Sequence, residues 1–187
     1  MPNRERTVLL IYTLLAAVGI AWSGFAGRGL PVLSPTNSES FIESPALLLS
    51  LGAGVLLAGL SLAFTAVARR HWVRFQRLHE AFAKALGPLS QREIIVLTLS
   101  SSIAEELFFR VAMQPAIGLW PTALIFGAVH FIPHPDFRIW TPWAFVMGVL
   151  FGGIFEITGV AAGPILAHAL INYYGLRGIA SQSNRDN

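Results

Sequence analysis

The chain has 187 residues, of which 54% are hydrophobic and only 12% charged. A soluble domain carries about twice that charged fraction, and the apolar residues here fall in blocks, so the composition points to one membrane-embedded domain with short loops. The absence of cysteine rules out disulfides, thiolate metal sites and cysteine nucleophiles, and the net charge of +3 sits beside the apolar spans, where it orients a membrane protein and does not call for nucleic acid.

Val8 to Ala26 is a nearly uncharged apolar run preceded by Arg4 and Arg6. It is longer than the apolar core of a signal peptide, about 7–15 residues, and reads as a first spanning helix. Residues 27–44, with Pro31, Pro35 and Asn37, form a polar, turn-rich loop. Pro45 to Ala68 is a second span, about 36 Å long if helical. Residues 69–92 interleave Arg69, Arg70, Arg74, Arg77, Lys84 and Arg92 with Trp72, Phe75, Leu78, Phe82 and Leu86 at helical spacing. That pattern predicts an amphipathic helix on an anionic membrane surface, or a solvated connector.

The third span, Glu93 to Met113, is anomalous in containing Glu105, Glu106 and Arg110. A fourth runs from about Pro121 to Ile132, cut short by Pro133 and Pro135. The fifth covers Thr141 to Ile157, and the sixth Ala161 to Ile179, with Pro164 in its first turn, where proline is tolerated. The expected fold is an all-α polytopic bundle of about six transmembrane helices. Residues 1–92 hold two helices and the basic connector, 93–180 a four-helix core, and 181–187 a polar tail. With the N-terminus cytoplasmic, eleven of the thirteen lysines and arginines fall in cytoplasmic segments; Arg28 lies outside and Arg110 in the membrane.

Ionisable groups in hydrocarbon cost about 2.5 kcal/mol or more each. Glu106 and Arg110 are four apart with the acid first, the favourable order for a helical ion pair. Glu105 is then left over, and a buried carboxylate must find a partner or hold a proton. His130 in the fourth span, and His168 with Asn172 on one face of the sixth, are the candidate partners. Counted from the outer ends of their spans, Glu105, His130, His168 and Asn172 lie roughly 8–15 Å deep, so one layer can hold all four.

Glu-Glu-x-x-x-Arg at 105–110, Phe-x-x-x-His at 126–130 and His-x-x-x-Asn at 168–172 resemble the three motifs of the CAAX-protease and bacteriocin-processing family. That family includes type II CAAX prenyl endopeptidases, bacterial Abi-type proteins and the sorting-linked myxosortases. The resemblance covers roughly residues 90–180. It implies an intramembrane endopeptidase of a bacterial inner membrane, acting on a protein or peptide substrate with a membrane-associated segment, in contact with membrane lipid.

In that reading Glu105 is the base that takes a proton from water. His130 shares the water, and His168 and Asn172 donate to the developing oxyanion. Glu106 and Arg110 brace the helix. In the rival scheme Glu105, His130 and His168 bind zinc with a fourth position open for water. The chain lacks His-Glu-x-x-His, the compact zinc signature, which favours the metal-free scheme with no cofactor. A proton-coupled transporter or a non-catalytic membrane binding protein is the alternative function, since buried acids and histidines also serve ion pathways. His134 reads as a loop residue, His71 and His79 as solvated, Glu156 as interfacial, Gly148 and Gly152 as a packing face, and Trp120, Trp140 and Trp143 as interface anchors. Glu105 lies thirteen residues beyond Arg92, about 20 Å into a layer roughly 30 Å thick, so the site is expected in the outer half of the membrane.

Overall fold

The computed structural model describes residues 2–33, 35 and 45–183. Asn37 and most of the expected polar loop, and residues 184–187 of the expected tail, lie outside them. The described elements are helical throughout: α1 (Pro2–Phe25), α2 (Pro45–His71), α3 (Val73–Leu86), α4 (Gln91–Glu106), a π-helical segment Leu107–Met113, α5 (Gln114–Ile117), α6 (Leu119–Val129), a 3-10 turn Pro135–Phe137, α7 (Trp140–Thr158) and α8 (Ala162–Ser183). Three apolar stretches, Arg4–Phe25, Pro45–His71 and Pro135–Thr158, are long and apolar enough to cross a membrane. Leucines and valines along α1 and α2 stay exposed, among them Leu10 at 61% and Leu56 at 64%. With no water to hydrogen-bond in lipid, a helix satisfies its own backbone, so such surfaces suit a bilayer. The chain is an integral membrane protein with a polytopic helical bundle.

Helix pairing sets the depth of everything else. α2 and α8 run parallel and touch backbone to backbone: a Cβ on Gly54 would land on the Gly163 carbonyl, and Ser50 Oγ accepts the Gly163 N–H at 3.1 Å. Ala58 and Ala167 share the next layer of that seam. α6 and α7 are antiparallel, with Gly148 against Ala123 and Phe126, and Gly152 against Leu119 and Gln114, so the expected glycine face does pack. α1 lies parallel to α4 and the π segment, fixed by Arg92–Glu5 at 3.3 Å near its start and by Gly19 on the Phe108 backbone further along.

The basic connector departs from expectation. α3 is amphipathic, but its apolar face is turned inward, with Phe75 and Leu78 buried. Phe75 meets Phe64 and Trp143, and Phe82 meets Phe137 and Trp140. Trp140 and Trp143 therefore wall α3 against α7 and do not stand as lipid anchors, whereas Trp120 is exposed. Other helices, and not the membrane surface, cover the apolar stripe of the connector. His79 is likewise no solvated residue: its ring lies against Gly178 of α8, and burial, with the Arg69 charge second, pushes its pKa down to about 4.

Candidate active site

α4 starts on a capping box: Ser90 Oγ accepts the Glu93 N–H, and Glu93 accepts from the Ser90 N–H. In the apolar interior its three serines bond back to their own helix, Ser100 to Val96, Ser101 to Leu97 and Ser102 to Thr98, at 2.6–2.7 Å. Such back-bonds satisfy a hydroxyl but loosen the turn. After Glu106 the helix widens to π geometry through Met113, the kind of interruption that recurs at functional sites. Nearly every side chain of the π segment is buried, so its wider turn has α1, α6 and α7 packed around it.

Glu106 is fully buried and takes two charge-assisted bonds. Arg110 Nε donates to its Oε2 at 2.8 Å, and His168 Nδ1 lies 2.9 Å from its Oε1. A carboxylate can only accept there, so His168 carries its proton on Nδ1 and turns Nε2 toward the site. Glu106 therefore orients a histidine as well as bracing Arg110, a role the helical spacing alone did not reveal. Arg110 is fully buried over the Phe126 ring, 5.0 Å from its centroid. Its two terminal nitrogens have no hydrogen-bond partner among the described residues.

Glu105 points to the other side of the turn. Its Oε2 stands 3.8 Å from His130 Nε2 and 4.0 Å from His168 Nε2, is buried, and has no hydrogen-bond partner among the described residues. His130 is placed by the end of α6. There its own N–H bonds Gly127 at 3.1 Å, one residue short of α-helical register, which leaves the Phe126 carbonyl to accept from the ring Nδ1 at 2.6 Å. Both histidines thus carry a proton on Nδ1 and turn Nε2 toward Glu105. Tyr12, the only tyrosine of the first span, stands with Ser101 and Asn172 on the wall of a cavity. Hydropathy reads that residue as one more apolar position, so nothing in the sequence singles it out.

Asn172 is placed apart. Its Nδ2 donates to Ser101 Oγ at 3.1 Å, one helical turn before Glu105. Ser101, Asn172 and Tyr12 line a cavity of about 450 Å³ that extends between α2, α3, α7 and α8 to His79 and Arg69. The oxyanion pair expected of His168 and Asn172 is therefore divided, His168 at Glu105 and Asn172 on the cavity wall.

Depth changes too. By the register of Gly54 on Gly163, His168 is level with Gly59, fourteen residues from the start of α2 and twelve from its end. α8 begins about 12 Å below the start of α2, so its first residue does not mark a membrane surface. The site lies near mid-depth of the bundle, not in its outer half.

Glu105, His130 and His168 stand wider apart than a tetrahedral ligand set, whose donors lie about 2 Å from the ion and so ~3.3 Å from one another. Among the described residues no three histidine, cysteine or acidic side chains are grouped to hold a metal ion. His134 is a loop residue capping the 3-10 turn, and Glu156 is exposed, taking a bond from buried Gln114 at 2.8 Å.

Residues 90–174 match the family model described as Type II CAAX prenyl endopeptidase Rce1-like. The uncharacterized protein YpbD of Bacillus subtilis (strain 168) is 40% identical over 94 residues, 48% of this chain and 47% of that protein. The chain thus spans about half the length of the curated relative it matches. No solved structure matches.

Proposed function

We propose, on the match of residues 90–174 to the family model described as Type II CAAX prenyl endopeptidase Rce1-like, that the protein is an intramembrane endopeptidase of that kind in which Glu105 activates water. The observation that carries this reading is a buried carboxylate oxygen without a partner, faced by two histidine Nε2 atoms whose opposite nitrogens are already engaged. A water held among the three loses its proton to Glu105 as its oxygen bonds the scissile carbonyl carbon. His168, with Glu106 behind it, stabilises the negative carbonyl oxygen in its protonated form, as a carboxylate supports an imidazolium. Collapse breaks the C–N bond, and the proton on Glu105 leaves with the amine. Asn172 and Ser101, on the cavity wall, are placed to meet the substrate chain. The membrane is the inner membrane of a bacterium, with the N-terminus cytoplasmic.

The test uses the purified full chain in liposomes with two quenched fluorescent peptides ending in Cys-aliphatic-aliphatic-Xaa, one farnesylated and one not. Cleavage of either is expected, and Glu105→Gln should lower its rate by at least about 10²-fold. Undiminished cleavage by that variant overturns the mechanism. Strong chelators should leave the rate intact; a reversible loss restored by zinc would replace the glutamate scheme with the metal one.

A further inference from the structure

The reacting groups account for one end of the cavity and leave the other unexplained. From Ser101 and Asn172, each one helical turn from Glu105 or His168, the space runs to Arg69 and His79. Trp140 joins it to the site, since its ring lines the cavity and meets the His130 ring edge-on at 5.5 Å. Between the two ends the walls are apolar, with Leu62, Leu78, Leu97 and Ile171 among them. Its volume of about 450 Å³ is of the size that holds small ligands, about 300–1,000 Å³.

The far end is polar. Arg69 from α2 and His79 from α3 converge on one spot of α8, where a Cβ on Gly178 would stand 3.4 Å from His79 Cε1 and 3.7 Å from Arg69 Nη1. His79 Nε2 is buried with no hydrogen-bond partner among the described residues, and an imidazole nitrogen left so calls for a ligand atom. Of the described residues lining the cavity, only Arg69 carries a permanent charge. Its planar fork matches a carboxylate. An apolar channel that starts beside a hydrolytic site and ends on a guanidinium is complementary to an apolar peptide tail ending in a carboxylate.

We propose that this cavity receives the C-terminal tail of the substrate, with Arg69 and His79 holding the terminal carboxylate. The inference rests on the peptidase reading for the identity of the occupant, and on the cavity alone for its preference for a carboxylate. The geometry also sets the length of the tail. His168 and Gly178 are ten residues apart on α8, about 15 Å. A carboxylate stopping about 2.8 Å short of the guanidinium leaves roughly 12 Å, and an extended chain covers about 3.3–3.6 Å per residue. The released piece is therefore about three or four residues long. Both clamp residues lie before residue 90, outside the segment that matches the family model.

Two measurements test it. The first needs no cleavage: an N-acetylated Leu-Val-Leu-Ala peptide, as free acid and as amide, is titrated into the full chain in phosphatidylcholine liposomes. Binding is followed by tryptophan emission, since Trp140 and Trp143 line the cavity. The acid should bind about 10- to 100-fold more tightly than the amide, the scale of charged hydrogen bonds. Arg69→Gln should bind both alike, and Arg69→Lys should keep part of the preference. Equal affinities in the wild type, or a preference that survives Arg69→Gln, would overturn the proposal. So would equal affinities accompanied by an emission change with phosphatidylglycerol that Arg69→Gln abolishes, which would give the cavity to a lipid phosphate. In the second, the liposome cleavage assay compares its peptides as acids and amides. The acid should be cut with a kcat/KM about 10- to 100-fold higher, and Arg69→Gln should lower that of the acid while leaving the amide within about twofold. Undiminished cleavage by Glu105→Gln instead strikes the peptidase mechanism, and the binding preference of the first measurement separates that result from failure of the clamp.

Discussion

Two glutamates in consecutive positions meet opposite surroundings because a helix turns each residue about 100° from the last. Glu106 faces inward onto Arg110 and His168 and is saturated with charged donors, while Glu105 faces the histidine Nε2 atoms with one oxygen left over. Removing one partner of a buried pair leaves the other charge uncompensated, which costs about 3–5 kcal/mol. Glu106→Gln should therefore lower the unfolding midpoint of the detergent-purified protein sharply. Glu105→Gln should leave it near the wild-type value, because an acid placed for reaction contributes little to folding. Equal melting losses in the two variants would contradict the division of roles.

Among the elements, the α2–α8 seam sets how deep the site lies, and it depends on the absence of side chains at two glycines. A methyl on Gly163 would run into the Ser50 carbonyl of α2, which is backbone and cannot turn aside, whereas one on Gly153 of α7 meets nothing within 4 Å. Overpacking a tight contact costs about 1–3 kcal/mol. Gly163→Ala is expected to destabilise by that amount and to reduce cleavage as α8 carries His168 away. Gly153→Ala should gain up to ~1 kcal/mol from helix propensity. Differential scanning fluorimetry of the two variants side by side decides it; a Gly163→Ala midpoint at or above wild type would show that the seam has room. The small residues of α2 and α8 are packing devices of the kind membrane helices use when lipid and leucine are equally apolar.

For the whole molecule the open variable is orientation. The proposed orientation, with the N-terminus cytoplasmic, predicts residue 117 outside and residue 136 at the cytoplasmic face, and the contacts of the 3-10 turn with α3 put residue 136 at the same end of the bundle as the basic helix. Because the chain contains no cysteine, single cysteines at these two positions can be labelled without a background. In intact cells a membrane-impermeant maleimide should modify Ile117→Cys and spare Asp136→Cys. The reverse pattern would invert the protein and with it the face toward which the cavity between α3 and Asn172 extends.

Much of this was legible in the residues themselves. Apolar run length located the helices to within a few positions, and the costly charges of one span singled out Glu105, Glu106 and Arg110. Those are local properties, fixed by hydropathy and by spacing along one helix. The pairing of His168 with Glu106, the removal of Asn172 to Ser101, the inward turn of α3 and the place of Tyr12 on the cavity wall were not legible. Each depends on the rotation and register of one helix against another. Register is decided by close packing at particular glycines, such as Gly19, Gly54 and Gly163, and a small residue in a sequence does not say which backbone will lie against it.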